Sequence, residues 1–302
     1  MIRRVVVTSA CGLALALALA HSQSSSAAPI MRLELHLAKD AKSRPRVLLL
    51  TLGGPIYCQQ LFNLKAYLKG SLACTDYGPN GYTGRGQRSG RKEDWGDPAY
   101  LDAVAAVPAQ LRAQGVKISK LVLVGVSYSG YANAELVATH PELRPAALIV
   151  VDSYLDLPAR NAALPGYHET KKEMDSVLGG TFQQVPERYA DRSPSHHLAG
   201  LATAIRGGMA FVDVWSINPR EKREFRGATC SRLANAQWLA DLARLLGRPV
   251  TGYVTRLPHA HALWHRGPGL LALAGIVPAA VGLPAQRVIF RPDGRVPAGS
   301  FC

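Results

Sequence analysis

Apolar residues along this chain fall into two kinds of block. "RVLLLTL" (46–52), "KLVLVG" (120–125) and "AALIVV" (146–151) are unbroken apolar runs. Such runs fit strands covered on both faces, which predicts a buried parallel sheet. "MRLELHL" (31–37) instead alternates apolar and polar side chains, as an edge strand with one wet face does. "MAFVDVW" (209–215) and "PVTGYV" (249–254) read as two more strands. Between the strands lie segments with helical spacing, "DPAYLDAVAAVPAQLRAQG" (97–115) and "SRLANAQWLADLARLLG" (231–247). Asp97 is placed to cap the first, with Pro98 at its first helical position. Strands joined through helices predict an α/β fold, a mostly parallel sheet flanked by helices. From Leu157 to Gly208 the periodicity loosens among Pro, Gly, Ser and His196-His197, which suits a small cap or lid above the sheet. Near the end, "RPDGR" reads as a turn between short strands.

The first residues do not belong to this pattern. "MIRR", an apolar block from Val5 to Ala20 and the small polar "HSQSSSAAP" have the layout of a secretory signal. Removal near Ala28 is expected, leaving 29–302 as one domain of a secreted protein. The apolar block is shorter than the roughly 20 residues that span a bilayer. Export gives the cysteines a role, because Cys58, Cys74, Cys230 and Cys302 then meet an oxidising compartment. Of their three pairings, Cys58 with Cys74 and Cys230 with Cys302 are the expected ones. No close Cys/His pair has metal-site spacing, so neither a metal nor a cofactor is expected.

Charge narrows the partners. The chain has 35 Lys and Arg against 21 Asp and Glu, a net +14. The basic residues are scattered, and acids interrupt the mild cluster at Arg220–Arg226. No nucleic-acid-binding signature accompanies them, so specific nucleic-acid binding is not expected, and weak adhesion to anionic cell-envelope polymers is.

The chemistry centres on "LVLVGVSYSGYANAELVATH" (121–140). A buried-type strand meets a helix at Gly125-Val126-Ser127-Tyr128-Ser129-Gly130, and small residues at such a corner let strand and helix backbones approach. The first amides of a helix have no intrahelical acceptor, so the N–H of Tyr128 is a candidate donor to a developing oxyanion. This corner resembles the nucleophile elbow of the α/β-hydrolase family, with Ser127 at the nucleophile position and Ser129 where the short pattern ends in glycine. "VLLLTLGGPIY" is similar to that family's His-Gly-Gly-Pro loop, with leucine for histidine, and makes Gly54 the second oxyanion candidate. Asp76, in a stretch similar to the family's Asp-x-x-Gly loop, is assigned a structural role.

In this family the base follows the last core strand. "PVTGYVTRLPHAHALWHRG" offers His259, His261 and His265 there, and the resemblance of "HAHALW" to the terminal histidine loop favours His261. The acid usually follows the preceding strand, where Asn218 stands and Glu221 comes a little later. Asp152, ending "AALIVVD", is therefore the preferred acid, with Glu221 the alternative and Asp156 and Asp213 behind them. The resemblance implies a secreted serine hydrolase acting on small-molecule or lipid-like carboxylic esters through Ser127, His261 and Asp152. Two other readings stand beside it. One is an aminopeptidase using Glu169, Glu173 or Asp175 to hold a substrate amine; the other is a non-catalytic binding protein on the same scaffold.

Overall fold

The computed structural model describes residues 31–77, 94–166, 168–216, 232–278 and 282–297. The leader, Asn218, Glu221, Cys230 and Cys302 lie outside these residues, together with the expectations attached to them.

Eight strands form one sheet: β1 (Met31–His36), β2 (Arg46–Leu52), β3 (Ser71–Tyr77), β4 (Ile118–Val126), β5 (Ala147–Val151), β6 (Ala210–Ser216), β7 (Val250–Thr255) and β8 (Ala285–Phe290). Their spatial order is β1-β3-β2-β4-β5-β6-β7-β8, antiparallel at the two ends and parallel between. Helices α1 (Pro55–Gln60) and α2 (Phe62–Leu68) follow β2, and α3 (Pro98–Ala105) and α4 (Val107–Ala113) precede β4. Helix α5 (Tyr128–Thr139) joins β4 to β5; α6 (Leu157–Ala163), α7 (Glu169–Leu178), α8 (Pro186–Asp191) and α9 (Leu198–Arg206) join β5 to β6. Helices α10 (Arg232–Leu246) and α11 (His261–Leu273) lie before and after β7.

The unbroken apolar runs behave as expected. In β2, Leu48, Leu50 and Leu52 enter the core beneath α3, α4, α5, α9 and α10, whereas Leu49 enters the core beneath α1, α2 and α11. β5 divides in the same way, Leu148 and Val150 to one face and Ala147, Ile149 and Val151 to the other. Each such side chain contributes about 1.5–3 kcal/mol by leaving water, so a strand apolar on both faces is held from both sides.

Three details depart from the sequence reading. The helix expected over 97–115 is two helices, because Pro108 has no N–H to continue the ladder and the chain restarts at Val107. Asp97 does cap the first, accepting the Tyr100 N–H at 3.2 Å. "SLACTDY", unassigned from its pattern, is β3, buried between β1 and β2. The expected Cys58–Cys74 disulfide is present and ties helix α1 to strand β3. The stretch 157–208, patternless in sequence, forms four helices, and its Leu157, Met174, Tyr189 and Leu201 are part of the main core.

Two positions in this scaffold make sharp predictions. Helix α9 crosses α5 at Gly200, where a Cβ would sit 1.7 Å from the Ala138 carbonyl oxygen. Backbone cannot yield as a side-chain tip does, so Gly200→Ala is expected to cost about 2 kcal/mol or more, read as a fall in the urea midpoint. Asp213, fully buried in β6, has its carboxyl pushed well above the ordinary range by burial and by the neighbouring Asp152; the Trp215 indole and the Val214 amide oppose this only in part. A carboxyl whose folded pKa is raised holds its proton longer than the unfolded chain does. Its contribution to stability is full below about pH 4 and is lost as pH rises through the folded pKa. Asp213→Asn should therefore flatten the decline of stability between mildly acidic and neutral pH and leave the protein at least as stable at pH 7. A urea series at several pH values checks both.

Candidate active site

The ends of three parallel strands build the site, with β6 lying between the second and the third. β4 runs into Ser127, β5 into Asp152, and the connection after β7 reaches His259 and Ala260. Three of these four residues have positive φ although none is glycine: Ser127 at 55°, Asp152 at 50° and Ala260 at 66°. Such conformations cost free energy and persist where surrounding bonds enforce them.

The elbow is enforced by backbone and by close packing. Ser127 N–H donates to the Val151 carbonyl at 2.9 Å, fixing the corner against the end of β5. A Cβ on Gly125 would stand 2.5 Å from the Ser129 backbone, and one on Gly130 would stand 2.0 Å from Ser153 Oγ, so both positions require glycine. Ser129 Oγ accepts from the Val126 N–H at 2.9 Å and donates to the Val126 carbonyl at 3.1 Å. Its hydroxyl thus closes the turn, which leaves Ser127 as the serine presented at the corner. Tyr128, the first residue of α5, is gripped from behind: its hydroxyl donates to the buried Asp94 carboxylate, and its ring packs against Trp95, Tyr57 and Tyr131. Burial pushes the Asp94 carboxyl up, while the Tyr128 hydroxyl and the Gly96 and Asp97 amides act to keep it ionised.

The carboxylate of Asp152 is the hub. Its Oδ1 accepts the Ser216 N–H at 2.6 Å; its Oδ2 accepts the Ser216 hydroxyl at 2.8 Å and the Ala260 N–H at 2.8 Å. His259 Nδ1 lies 3.9 Å from Oδ2, with that side chain 16% exposed and Asp152 2%. The histidine brought to the acid is therefore His259, not the expected His261. The reason is a bond between distant segments. Ala260 takes the left-handed turn that its bond to Asp152 requires, α11 starts one residue later, and His261 is carried onto that helix, where its ring packs against Trp264 and His265.

A second correction concerns Gly54. Its N–H donates to the Thr75 carbonyl at 2.9 Å, extending the β2–β3 pairing, so that amide is not directed at an acyl oxygen. Gly53 and Gly54 instead let the chain leave β2 at φ of 101° and 83°, with Gly53 pressed against the Tyr57 and Tyr128 rings. The acids weighed for binding a substrate amine also have other partners: Glu169 pairs with Lys172 on the surface, and Asp175 accepts from Asn161 and Tyr189 within the helical segment. Asp156 caps α6 through the Ala159 N–H and accepts from Ser195 Oγ. Asp76 is buried in β3, opposite Arg32 of β1, in keeping with a structural role.

No family model and no curated protein matches the sequence. Solved structures do match the fold. A puromycin hydrolase is 18% identical over 88% of this chain and 43% of its own, with a TM-score of 0.53. Dipeptidyl peptidase 4 of Porphyromonas gingivalis is 16% identical over 82% and 34%, with a TM-score of 0.54. An esterase of the bacterial hormone-sensitive lipase family is 18% identical over 84% of both chains, with a TM-score of 0.50. The chain spans less than half the length of the first two of these proteins. The elbow, the parallel sheet and these likenesses together establish that the chain has the α/β-hydrolase fold.

Proposed function

We propose that this protein is an exported serine hydrolase acting on carboxylic esters. The observation that carries the reading is His259 Nδ1 3.9 Å from the Asp152 carboxylate, at the end of the strand to which the Ser127 corner is bonded, with Ser127 and Asp152 both held at positive φ against their intrinsic preference. A serine hydroxyl needs a base to become nucleophilic, and an imidazole needs a carboxylate to hold its tautomer and to stabilise its cation.

The reaction divides as follows. Ser127 Oγ attacks the acyl carbon and gives its proton to His259, which returns it to the departing alcohol. Water then repeats the sequence on the acyl-enzyme, with His259 as base. Asp152, fixed by three donors, keeps its charge directed at the imidazole; the 3.9 Å spacing is one that substrate binding can shorten. The N–H of Tyr128 supplies oxyanion stabilisation, with the elbow clamped by Asp94. An ester is preferred to a peptide because the esterase comparison accounts for most of both chains, whereas this chain covers less than half of the puromycin hydrolase and of the dipeptidyl peptidase. Glu169 and Asp175, being engaged elsewhere, do not favour amine recognition. Export rests on the leader sequence and agrees with the Cys58–Cys74 disulfide.

A fluorophosphonate should label the wild-type protein at Ser127, and Ser127→Ala should lose both the label and hydrolysis of p-nitrophenyl butyrate while remaining folded. His259→Ala should lower kcat/KM at least a thousandfold and Asp152→Asn a hundredfold or more, with His261→Ala staying within tenfold. A larger loss in His261→Ala than in His259→Ala would return the base to His261. An unlabelled, folded wild type would leave the fold as a binding scaffold.

A further inference from the structure

A charged group that the hydrolytic machinery does not use lies on α6, eight residues beyond Asp152. Arg160 is 3% exposed and sits on the inward face of α6 with Leu157 and Asn161. Among the described residues its polar partner is the Tyr154 hydroxyl, which accepts from Nη2 at 3.0 Å, while the guanidinium carbon lies 3.7 Å above the Tyr154 ring. Its Nε and Nη1 are buried without an acceptor. Among the described residues no carboxylate neutralises it, and burial lowers its pKa, opposed only by Tyr154. Buried guanidinium groups are ordinarily paired, because an unpaired ion in a low-dielectric site loses its hydration without compensation.

The location is as informative as the lack of a partner. Tyr154 is two residues beyond Asp152, and the intervening Ser153 packs against Gly130 in the first turn of the elbow helix. Asn235 fixes this short loop from both sides, donating to the Ser153 carbonyl at 2.6 Å and accepting the Leu155 N–H at 3.1 Å. The guanidinium is thus mounted on the segment that carries the acid, and its planar fork of N–H donors is suited to two oxygens of one carboxylate.

We propose that Arg160, oriented by Tyr154, binds a carboxylate on the substrate, so that the preferred substrates are half-esters of dicarboxylic acids or esters with an acidic leaving group. The inference rests on the hydrolase reading of Ser127, and it deepens that reading by naming the substrate's charge. Arg160 takes no part in bond breaking. It is a specificity residue, and the carboxylate it receives supplies the missing counter-charge.

The test compares two matched pairs on wild-type protein: p-nitrophenyl glutarate half-ester against p-nitrophenyl valerate, and 3-acetoxybenzoate against phenyl acetate. One carboxylate-bearing member should exceed its neutral partner by tenfold or more in kcat/KM, mainly through KM. Arg160→Met should remove that advantage and leave the neutral esters within about threefold, with Arg160→Lys retaining part of it. Binding of glutarate alone, read as a rise in melting temperature, should occur in the wild type and in Ser127→Ala but not in Arg160→Met. Equal rates for charged and neutral esters, or a preference that survives Arg160→Met, would overturn the proposal while the hydrolase reading stands. Failure of fluorophosphonate labelling would sink the hydrolase reading, and the glutarate measurement would still decide whether Arg160 binds a carboxylate.

Discussion

The site depends on one carboxylate that joins three segments of backbone. Asp152 leaves β5, takes its donors from Ser216 at the end of β6 and takes a third from Ala260 after β7. Hydrogen bonds to a charged acceptor contribute more than neutral ones, about 1.5–3 kcal/mol each, which is of the order needed to hold two residues at positive φ. The same bonds bring the β7 connection across the sheet edge, which is why His259 reaches the acid. Removing the carboxylate would release the turn at Ala260 as well as an electrostatic partner.

Rigidity on the serine side has a different origin. There the backbone is held by steric exclusion at Gly125 and Gly130 and by the Ser127 amide on Val151. Behind it, Asp94 grips Tyr128, and the Arg192 guanidinium donates to the Asp94 carbonyl at 3.1 Å, connecting this turn to the helical segment between β5 and β6. Tyr131 closes the loop by donating to the Arg192 carbonyl at 2.6 Å. That segment is therefore tied to the elbow by polar bonds as well as through the core.

What the sequence disclosed follows from the range of each interaction. β2, β4 and β5 were legible because being covered on both faces selects apolar residues along most of the strand, and the elbow was legible because close backbone contact favours Gly125 and Gly130 within a few positions of Ser127. Asp152 could be weighed against the later loop because it ends a buried run. That His259 rather than His261 lies by the acid was not legible, because it hangs on a bond from Ala260 to a residue 108 positions away, which no local pattern carries. Gly54 was misassigned for a similar reason: two glycines announce a turn, but where their amides point depends on Thr75 in a strand that the pattern had not revealed. The helices between β5 and β6 were hidden because several are short and start at prolines or polar caps, so no long apolar stripe marks them.

Asn218, where an acid is usual in this fold, first suggests a scaffold that has lost its chemistry. The geometry at the ends of β5 and β6 argues otherwise. Ser216 presents both its N–H and its hydroxyl to Asp152, so the end of β6 furnishes donors where it would otherwise furnish the carboxylate, and the neighbouring strand furnishes the acceptor. Because β5 and β6 are parallel neighbours in register, with Val151 opposite Val214, an acid at the end of β5, as proposed, stays within reach of the β7 connection. A decayed site would have no reason to keep Asp152 at positive φ with three donors converging on it, since an unconstrained aspartate would relax toward ordinary backbone. The strain at this position is thus better explained by a carboxylate that must be aimed than by one that merely caps a strand.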